Sequence, residues 1–445
     1  MKRNLRMQSG LCWLAGLLAV WPVWGETVKD REGAVRQDRA KMEADARWLY
    51  NDVDQGFAEA KRTGKPLLVV LRCVPCVSCM GIDAGILEGK GLEGLLDQFV
   101  CVRVINANAL DLQRFQFDYD LSLSTLFFNG DGTVYGRFGS WTHQKDSADR
   151  STAGFRVAME AVLEIHRGYP ANRAALVGKQ GGPAPFQVPV EIPTLAAKYE
   201  RELDWEGKVV QSCVHCHMVG DAFRSHYRDR GLPIPLDLIY PMPMPETIGL
   251  SLGTDSRARV TAVAPGSMAA AAGFVAGDEL ASLGGQPPVS VADVAWALHR
   301  APDAGTLEAV VDRGGNQQRL TLLLPDGWRT KSDISRRVGT WPMRAMAGGG
   351  LKLEDLSDEE RRKRGLKPDQ LALLAVGVGQ FGKHAAAKRN GFQKDDVIVE
   401  VDGLTGRMTE SEFIGTLLQK HLKPAQLPAV VLRGGQRVEL KLPMQ

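Results

Sequence analysis

The sequence predicts a multidomain chain of mixed α/β and α+β class. An N-terminal α/β sandwich comes first, then a small cysteine-bearing segment, then two related β-rich domains. Three observations carry this. Apolar runs of strand length alternate with helix-period segments between residues 45 and 168. Glycines and prolines from Gly178 to Pro189 then break the chain. Last, Gly273-Phe274-Val275-Ala276-Gly277-Asp278-Glu279-Leu280 matches Gly391-Phe392-Gln393-Lys394-Asp395-Asp396-Val397-Ile398, and Asp312-Arg313-Gly314-Gly315 matches Leu432-Arg433-Gly434-Gly435. The offsets, 118 and 120 residues, mark a duplicated domain. The 445 residues are 44% hydrophobic and 24% charged, which excludes a disordered or coiled-coil chain.

Lys2, Arg3 and Arg6 precede an apolar stretch from Leu11 to Trp24, short for a bilayer crossing and of secretory length. Val23 and Gly25 suit a cut before Glu26. Residues 1–25 therefore read as a signal peptide, and the mature chain as exported, periplasmic or cell-envelope, with no stable membrane span. The net charge of +3 resides in that leader. A neutral remainder argues against nucleic-acid partners.

Residues 26–45 are charged, show no sustained apolar face and read as a solvated leader. Val53, Phe57 and Ala60 predict a helix stopped by Gly64. Pro66 to Leu71 and Phe99 to Ile105 predict strands. Leu126 to Phe128, the turn Asn129-Gly130-Asp131-Gly132, and Thr133 to Tyr135 predict a hairpin, and Gly154 to Ile165 a closing helix. Residues 169–190 read as a Gly/Pro linker and 191–245 as the cysteine-bearing segment. The first repeat runs over 246–327, with Ser267 as helix N-cap, Gly273 as stop, a helix from Val291 to Leu298 and a hairpin turn at Arg313 to Gly315. Residues 328–349 read as a second linker whose Gly348-Gly349-Gly350 end is flexible. The second repeat, 350–445, carries a charged insertion, Leu356 to Arg364, expected as an exposed helix.

Cys76-Val77-Ser78-Cys79 follows the apolar strand. A thiol at a helix N-terminus is favoured as thiolate, and a second thiol one turn on can resolve a mixed disulfide. Cys73 adds an overlapping Cys-x-x-Cys, so the pairing stays open; three thiols also suit a soft metal, and a fixed, inert disulfide is the bland alternative. Cys101 reads as a buried strand cysteine. The order helix, Gly64-Lys65-Pro66, apolar strand, Cys-x-x-Cys resembles the thioredoxin-like superfamily over residues 45–168, closest to the periplasmic domains of thiol:disulfide interchange proteins. The resemblance implies Cys76 as attacking and Cys79 as resolving thiol. Pro75 stands where that family has Trp, Val70 where many members keep a buried acid, and Ser124-Thr125 in place of a cis-proline pair; the peptide before Ser124 is expected trans.

Cys213-Val214-His215-Cys216-His217 is a complete Cys-x-x-Cys-His. Two thiols can form thioethers to haem vinyl groups and the adjacent imidazole can ligate iron. The five residues resemble the attachment site of cytochrome c, which implies covalent haem c with His217 axial; His226, Met242 and Met244 are candidates for the second axial position. Zinc on Cys213, Cys216, His217 and His226, or a simple Cys213–Cys216 disulfide, are the alternatives.

The repeats resemble the bacterial PDZ domain. That resemblance implies binding of a polypeptide partner or peptide C-terminus by strand addition, with Gly249 and Leu250 in the carboxylate loop. The corresponding loop of the second copy lies near Gly350-Leu351, altered by Lys352 and the insertion. The whole order is similar to bacterial thioredoxin-like/PDZ proteins, some of which are selenoproteins. Two functions are expected from it: an exported thiol–disulfide redox protein whose PDZ units recruit a polypeptide and whose haem carries electrons, or a non-catalytic PDZ adaptor with structural or metal-binding cysteines. No serine triad, P-loop or dinucleotide fingerprint is present. His166, His299, His384 and His421 stand alone and read as surface or packed residues.

Overall fold

The computed structural model describes residues 30–72, 91–121, 123–139 and 152–445. The N-terminal domain holds helix α1 (Arg31–Glu43), β1 (Trp48–Tyr50), α2 (Val53–Thr63), β2 (Leu67–Arg72), β3 (Val100–Val104), β4 (Leu123–Phe128), β5 (Val134–Phe138) and α3 (Thr152–Arg167). Its sheet runs in the order β1-β3-β2-β4-β5. Strands β1, β3 and β2 are parallel, and β4 and β5 are antiparallel. All six residues of β2 are buried, because both sheet faces are covered; a continuous apolar run is what such a strand needs. Asp52 caps α2 by accepting from the Gln55 N–H, and Gly64 ends it at φ 68°, a conformation that glycine adopts without a Cβ clash.

The solvated leader is instead α1, which corrects the reading of residues 26–45. Val35 and Met42, two turns apart, are buried. Between them Arg36 donates to the carbonyls of Trp205 and Gly207, and Asp38 pairs with Arg103. The docking face is mostly polar, so hydrophobic periodicity does not reveal it.

The cysteine-bearing segment contains α4 (Cys216–Asp229), whose Val219, Ala222 and Phe223 pack with Leu112, Ile192 and Leu195. The first repeat follows with β6 (Leu250–Leu252), β7 (Val260–Val263), β8 (Glu279–Leu283), α5 (Val291–His299), β9 (Gly305–Arg313) and β10 (Asn316–Leu324). They form a β6-β7 pair and a β10-β9-β8 sheet. Helix α6 (Thr340–Gly348) precedes the second repeat. That repeat comprises β11 (Leu351–Asp355), β12 (Leu373–Val378), β13 (Val397–Val401), α7 (Glu410–Lys420), β14 (Ala425–Arg433) and β15 (Gln436–Met444), its strands paired in sequence order.

The duplication is visible atom by atom. Arg313 clamps Asp278 at 2.7 and 2.8 Å and donates to the Gly273 carbonyl. Arg433 does the same to Asp396 and Gly391, at 2.7 and 2.8 Å. Gly277 and its counterpart Asp395 both take positive φ, 94° and 71°. Ser267 caps its helix by accepting from the Ala270 N–H, and Gly273 follows at φ 88°, as the sequence predicts.

Neither expected linker is loose. Within 169–190, Arg173–Lys179 forms a 3-10 turn with Leu176 and Lys179 buried, because Lys179 meets a buried carboxylate described below. Within 328–349, Trp328 is buried, Arg329 donates to the Ala301 carbonyl, and α6 buries most of its length. Gly349, at φ 61°, is the stop of α6 rather than part of a flexible spacer. The charged insertion is a helix, Asp358–Lys363, yet Arg361 within it is fully buried and donates to the Leu356 carbonyl at 2.8 Å. Among the described residues no helix is long and apolar enough to cross a membrane.

Candidate functional site

Cys73, Cys76 and Cys79 lie outside the described residues. The end of the central strand that precedes their segment is described. Strand β2 ends at Arg72, and its neighbour β4 places Ser124 opposite Leu71 and Thr125 opposite Val70. Both hydroxyls are buried and meet no partner among the described residues. The peptide before Ser124 is trans, as expected. Val70 is apolar and buried, and the acid at this end of the domain comes from α1. Asp38 pairs with Arg103, whose position on β3 is registered to Val70, lies 3.6 Å from Arg72, and accepts from the Tyr50 hydroxyl at 3.1 Å. Sequence reasoning missed Asp38 because it lies on the helix read as a leader.

The second cysteine pair sits beside the end of the neighbouring strand β3. The Cys213 thiol is buried and donates to the carbonyl of Ile105, the residue after β3, at 3.5 Å. Burial pushes that thiol up to about 12. The Val214 N–H is held by Asn108 Oδ1 at 2.7 Å. Cys216 opens α4 and packs on the cluster containing Phe115 and Phe117, and His217 Nδ1 lies 3.6 Å from Asp221 Oδ2. The structure thus brings Cys213, Cys216 and His217 into one stretch and leaves the other candidates elsewhere. His226, nine residues after His217 and so about half a turn out of phase with it, sets its ring edge-on to Phe186 and meets Arg230. Met242 is buried with Ala295 and Trp296 and is held at both ends, its N–H on His299 and its carbonyl under Arg337. Met244 packs against the core of the first repeat.

These positions bear on whether the residues as placed suit a metal or a haem. Among the described residues no group of three or more His, Cys, Asp or Glu is arranged for a metal ion. A haem bound through two thioethers needs both thiols and the imidazole on one open face. Here Cys213 enters the cluster of Val35, Ile105, Leu203 and Val209, whereas Cys216 enters that of Val104, Phe115 and Phe117. The residues as placed do not fit a haem.

The first repeat meets this domain through α5. Asp293 accepts from Lys179 Nζ at 2.6 Å and from the Arg137 and Val289 N–H groups at 3.1 and 3.0 Å. Ser290 Oγ donates to the Arg137 carbonyl at 2.6 Å, and the Arg137 guanidinium covers the Trp296 ring at 3.7 Å. Burial drives the Lys179 ammonium below its ordinary value, opposed by Asp293. A small cavity, about 10 Å³, lies in this junction; Ser124 and Thr125 line it from the sheet, Ala292 and Ala295 from α5, and Met242 and Met244 from the intervening chain. Sequence offered one signal here, an acid inside the apolar run Val291-Ala292-Asp293-Val294-Ala295-Trp296; nothing marked Lys179.

Gly249 and Leu250 lie where the strand edge begins. Gly249 has φ 88°, and its N–H is taken by the Glu246 carbonyl at 3.0 Å. An added Cβ there would meet Ser267 at 2.2 Å, so only glycine fits. Leu250 is buried, and β6 pairs with β7 alone in its described sheet.

Residues 48–130 match the family model of thioredoxin-like domains, and residues 259–313 that of the PDZ domain. The chain therefore contains a thioredoxin-like domain and a PDZ domain. No curated protein matches it. Among solved structures it is similar to the HtrA-type protease AlgW with tripeptide, at 22% identity over 29% of this chain and 41% of that one, with a TM-score of 0.18. AlgW with decapeptide gives 21% identity, 31% and 47% coverage and a TM-score of 0.19. A serine-to-alanine variant of AlgW with decapeptide gives 21% identity, 31% and 40% coverage and a TM-score of 0.21. The chain spans less than half the length of these proteases.

Proposed function

We propose that this chain is an exported thiol–disulfide redox protein whose PDZ domain recruits the polypeptide on which the thiols act. In this reading Cys76 attacks a disulfide of the partner, and one partner sulfur leaves as thiolate. Cys79 then attacks the mixed disulfide, so that the partner is reduced and Cys76–Cys79 is oxidised. The observation that supports it is the fixed junction between α5, read as the helix that flanks the PDZ groove, and Arg137 of β5, with Ser124 and Thr125 of the neighbouring β4 lining the same small cavity. A partner held at the first repeat stays near the end of β2, after which the thiol segment follows in sequence, and the raised local concentration makes modest affinity sufficient. Gly249 and Leu250 are the proposed carboxylate loop. The exchange needs no haem, and Cys73 is an accessory thiol.

Reduction of an insulin-type disulfide by the full chain, compared with Cys76→Ser, tests the proposal. Turnover should fall to background in the variant. Equal turnover in both proteins removes it. The rival, a non-catalytic adaptor, is favoured by one observation: among the described thiols Cys101 and Cys213 are buried and pushed up to about 12. It expects no turnover from either protein.

A further inference from the structure

The second repeat carries its own occupant at the strand edge where a peptide would add. Strand β11 is the outermost of its sheet. The Leu353 N–H donates to Glu410 Oε1 at 2.7 Å. Glu410 is the first residue of α7, 4% exposed, and both of its oxygens are taken by Arg344 of α6, at 2.8 and 2.6 Å. Arg344 also donates to the Ser335 carbonyl at 2.7 Å. An added strand would offer a carbonyl to a free strand N–H; here a carboxylate already fills that role, through a stronger charge-assisted bond.

The apolar side is filled as well. Glu410, Ile414 and Leu417 recur at i, i+4 and i+7, on one face of α7, and all are buried. Met343, Met346 and Ala347 of α6 share one cluster with Leu351, Leu353, Phe413, Ile414 and Leu417. The first repeat differs at both places. Its flanking helix opens with Val291, and a 3-10 turn, Pro245–Ile248, precedes its first strand as α6 precedes β11. We propose that the second repeat is a peptide site held shut by the chain itself, with Glu410 as the latch, Arg344 as its holder and α6 as the lid. The external ligand class is the one proposed for the first repeat, an extended polypeptide whose C-terminal carboxylate meets the loop before the strand. The inference rests on reading the repeats as strand-adding domains.

The test is hydrogen exchange of the full chain, followed in the fragments covering residues 351–355 and 250–252, with and without a synthetic decapeptide ending in valine. In the wild-type chain 351–355 should stay protected and be indifferent to peptide. In the double variant Arg344→Met/Glu410→Val, which places the first repeat's residue at the latch without stranding a buried cation, exchange at 351–355 should rise at least tenfold. Added peptide should then restore the protection. Glu410→Gln, which keeps shape and one acceptor, serves should the double variant not fold, with a rise of at least threefold. Rapid exchange or peptide-induced protection at 351–355 in the wild type overturns the proposal. So does an unchanged rate in a folded variant. Protection of 250–252 by peptide reports separately on the first repeat, so failure of the strand-adding reading and failure of the latch are distinguishable.

Discussion

Lys179 Nζ lies 2.6 Å from Asp293 Oδ2, with both side chains withdrawn from solvent. One partner belongs to the Gly/Pro stretch and the other to the first repeat, so this pair locks two domains that sequence alone would leave hinged. Asp293 keeps two backbone donors without the lysine, but among the described residues Lys179 has only Asp293 as its ionic partner. Asp293→Ala should therefore destabilise the chain by about 3–5 kcal/mol, the usual cost of stranding a buried charge, and Lys179→Met by clearly less. Urea unfolding reads both. A loss below about 1 kcal/mol for Asp293→Ala would show that the junction is not held by this pair.

Acid should loosen the same region. His299 is half-buried at the end of α5, accepts weakly from the Met242 N–H and faces Arg329, Arg300, Arg137 and Arg337. Burial, reinforced by those cations, lowers it from 6.5 to about 3. Between those values the unfolded chain binds a proton that the folded chain refuses, so this residue's contribution to stability is lost as pH falls below about 6.5. Two pH units down, the contribution is about 3 kcal/mol. His299→Gln, which retains an acceptor, should flatten the difference in unfolding free energy between pH about 7 and pH about 4.5. An unchanged difference would mean that His299 is not the titrating group.

The elements that sequence revealed are those built on apolar period or turn chemistry. The β2 strand, the β4–β5 hairpin, the Ser267 cap and the duplicated Arg-Gly-Gly turns are all of that kind. What stayed hidden is built on polar pairing at long range. Helix α1 docks through Arg36 and Asp38, the first linker through Lys179, and α6 through Arg344. A single charged residue has no periodicity, and its partner lies more than sixty positions away in each of these three ion pairs. The same holds for the candidate site. The Cys-x-x-Cys-His motif was legible as a string, but the divergence of its two thiols into separate clusters depends on Ile105 and Phe115, which no motif includes.

The two Arg–Asp clamps should behave as equivalent, independent units. Asp278 and Asp396 are fully buried, and each receives one arginine and one backbone N–H, from Val275 and Gln393. Asp278→Ala and Asp396→Ala should each cost about 2–3 kcal/mol, the range for hydrogen bonds to a charged group. The double variant should equal the sum, since the clamps share no partner. Unequal single costs would mean that one repeat has reassigned the clamp to another role.

Thiol reactivity decides what the second cysteine pair is. With burial holding Cys101 and Cys213 up to about 12, only about one molecule in ten thousand carries the thiolate at pH about 8. Native alkylation with iodoacetamide should leave both unmodified for hours, while Cys216, half-buried at the start of α4, reacts first of the three. In urea all three should react alike. The same intact-mass measurement, on chain made in a host with haem-attachment machinery, should show no covalent addition at Cys213 or Cys216, and the optical spectrum no Soret band. A haem adduct, or Cys213 reacting as fast as Cys216, would mean that the thiols share an open face after all, and the separation by Ile105 and Phe115 would have to be abandoned.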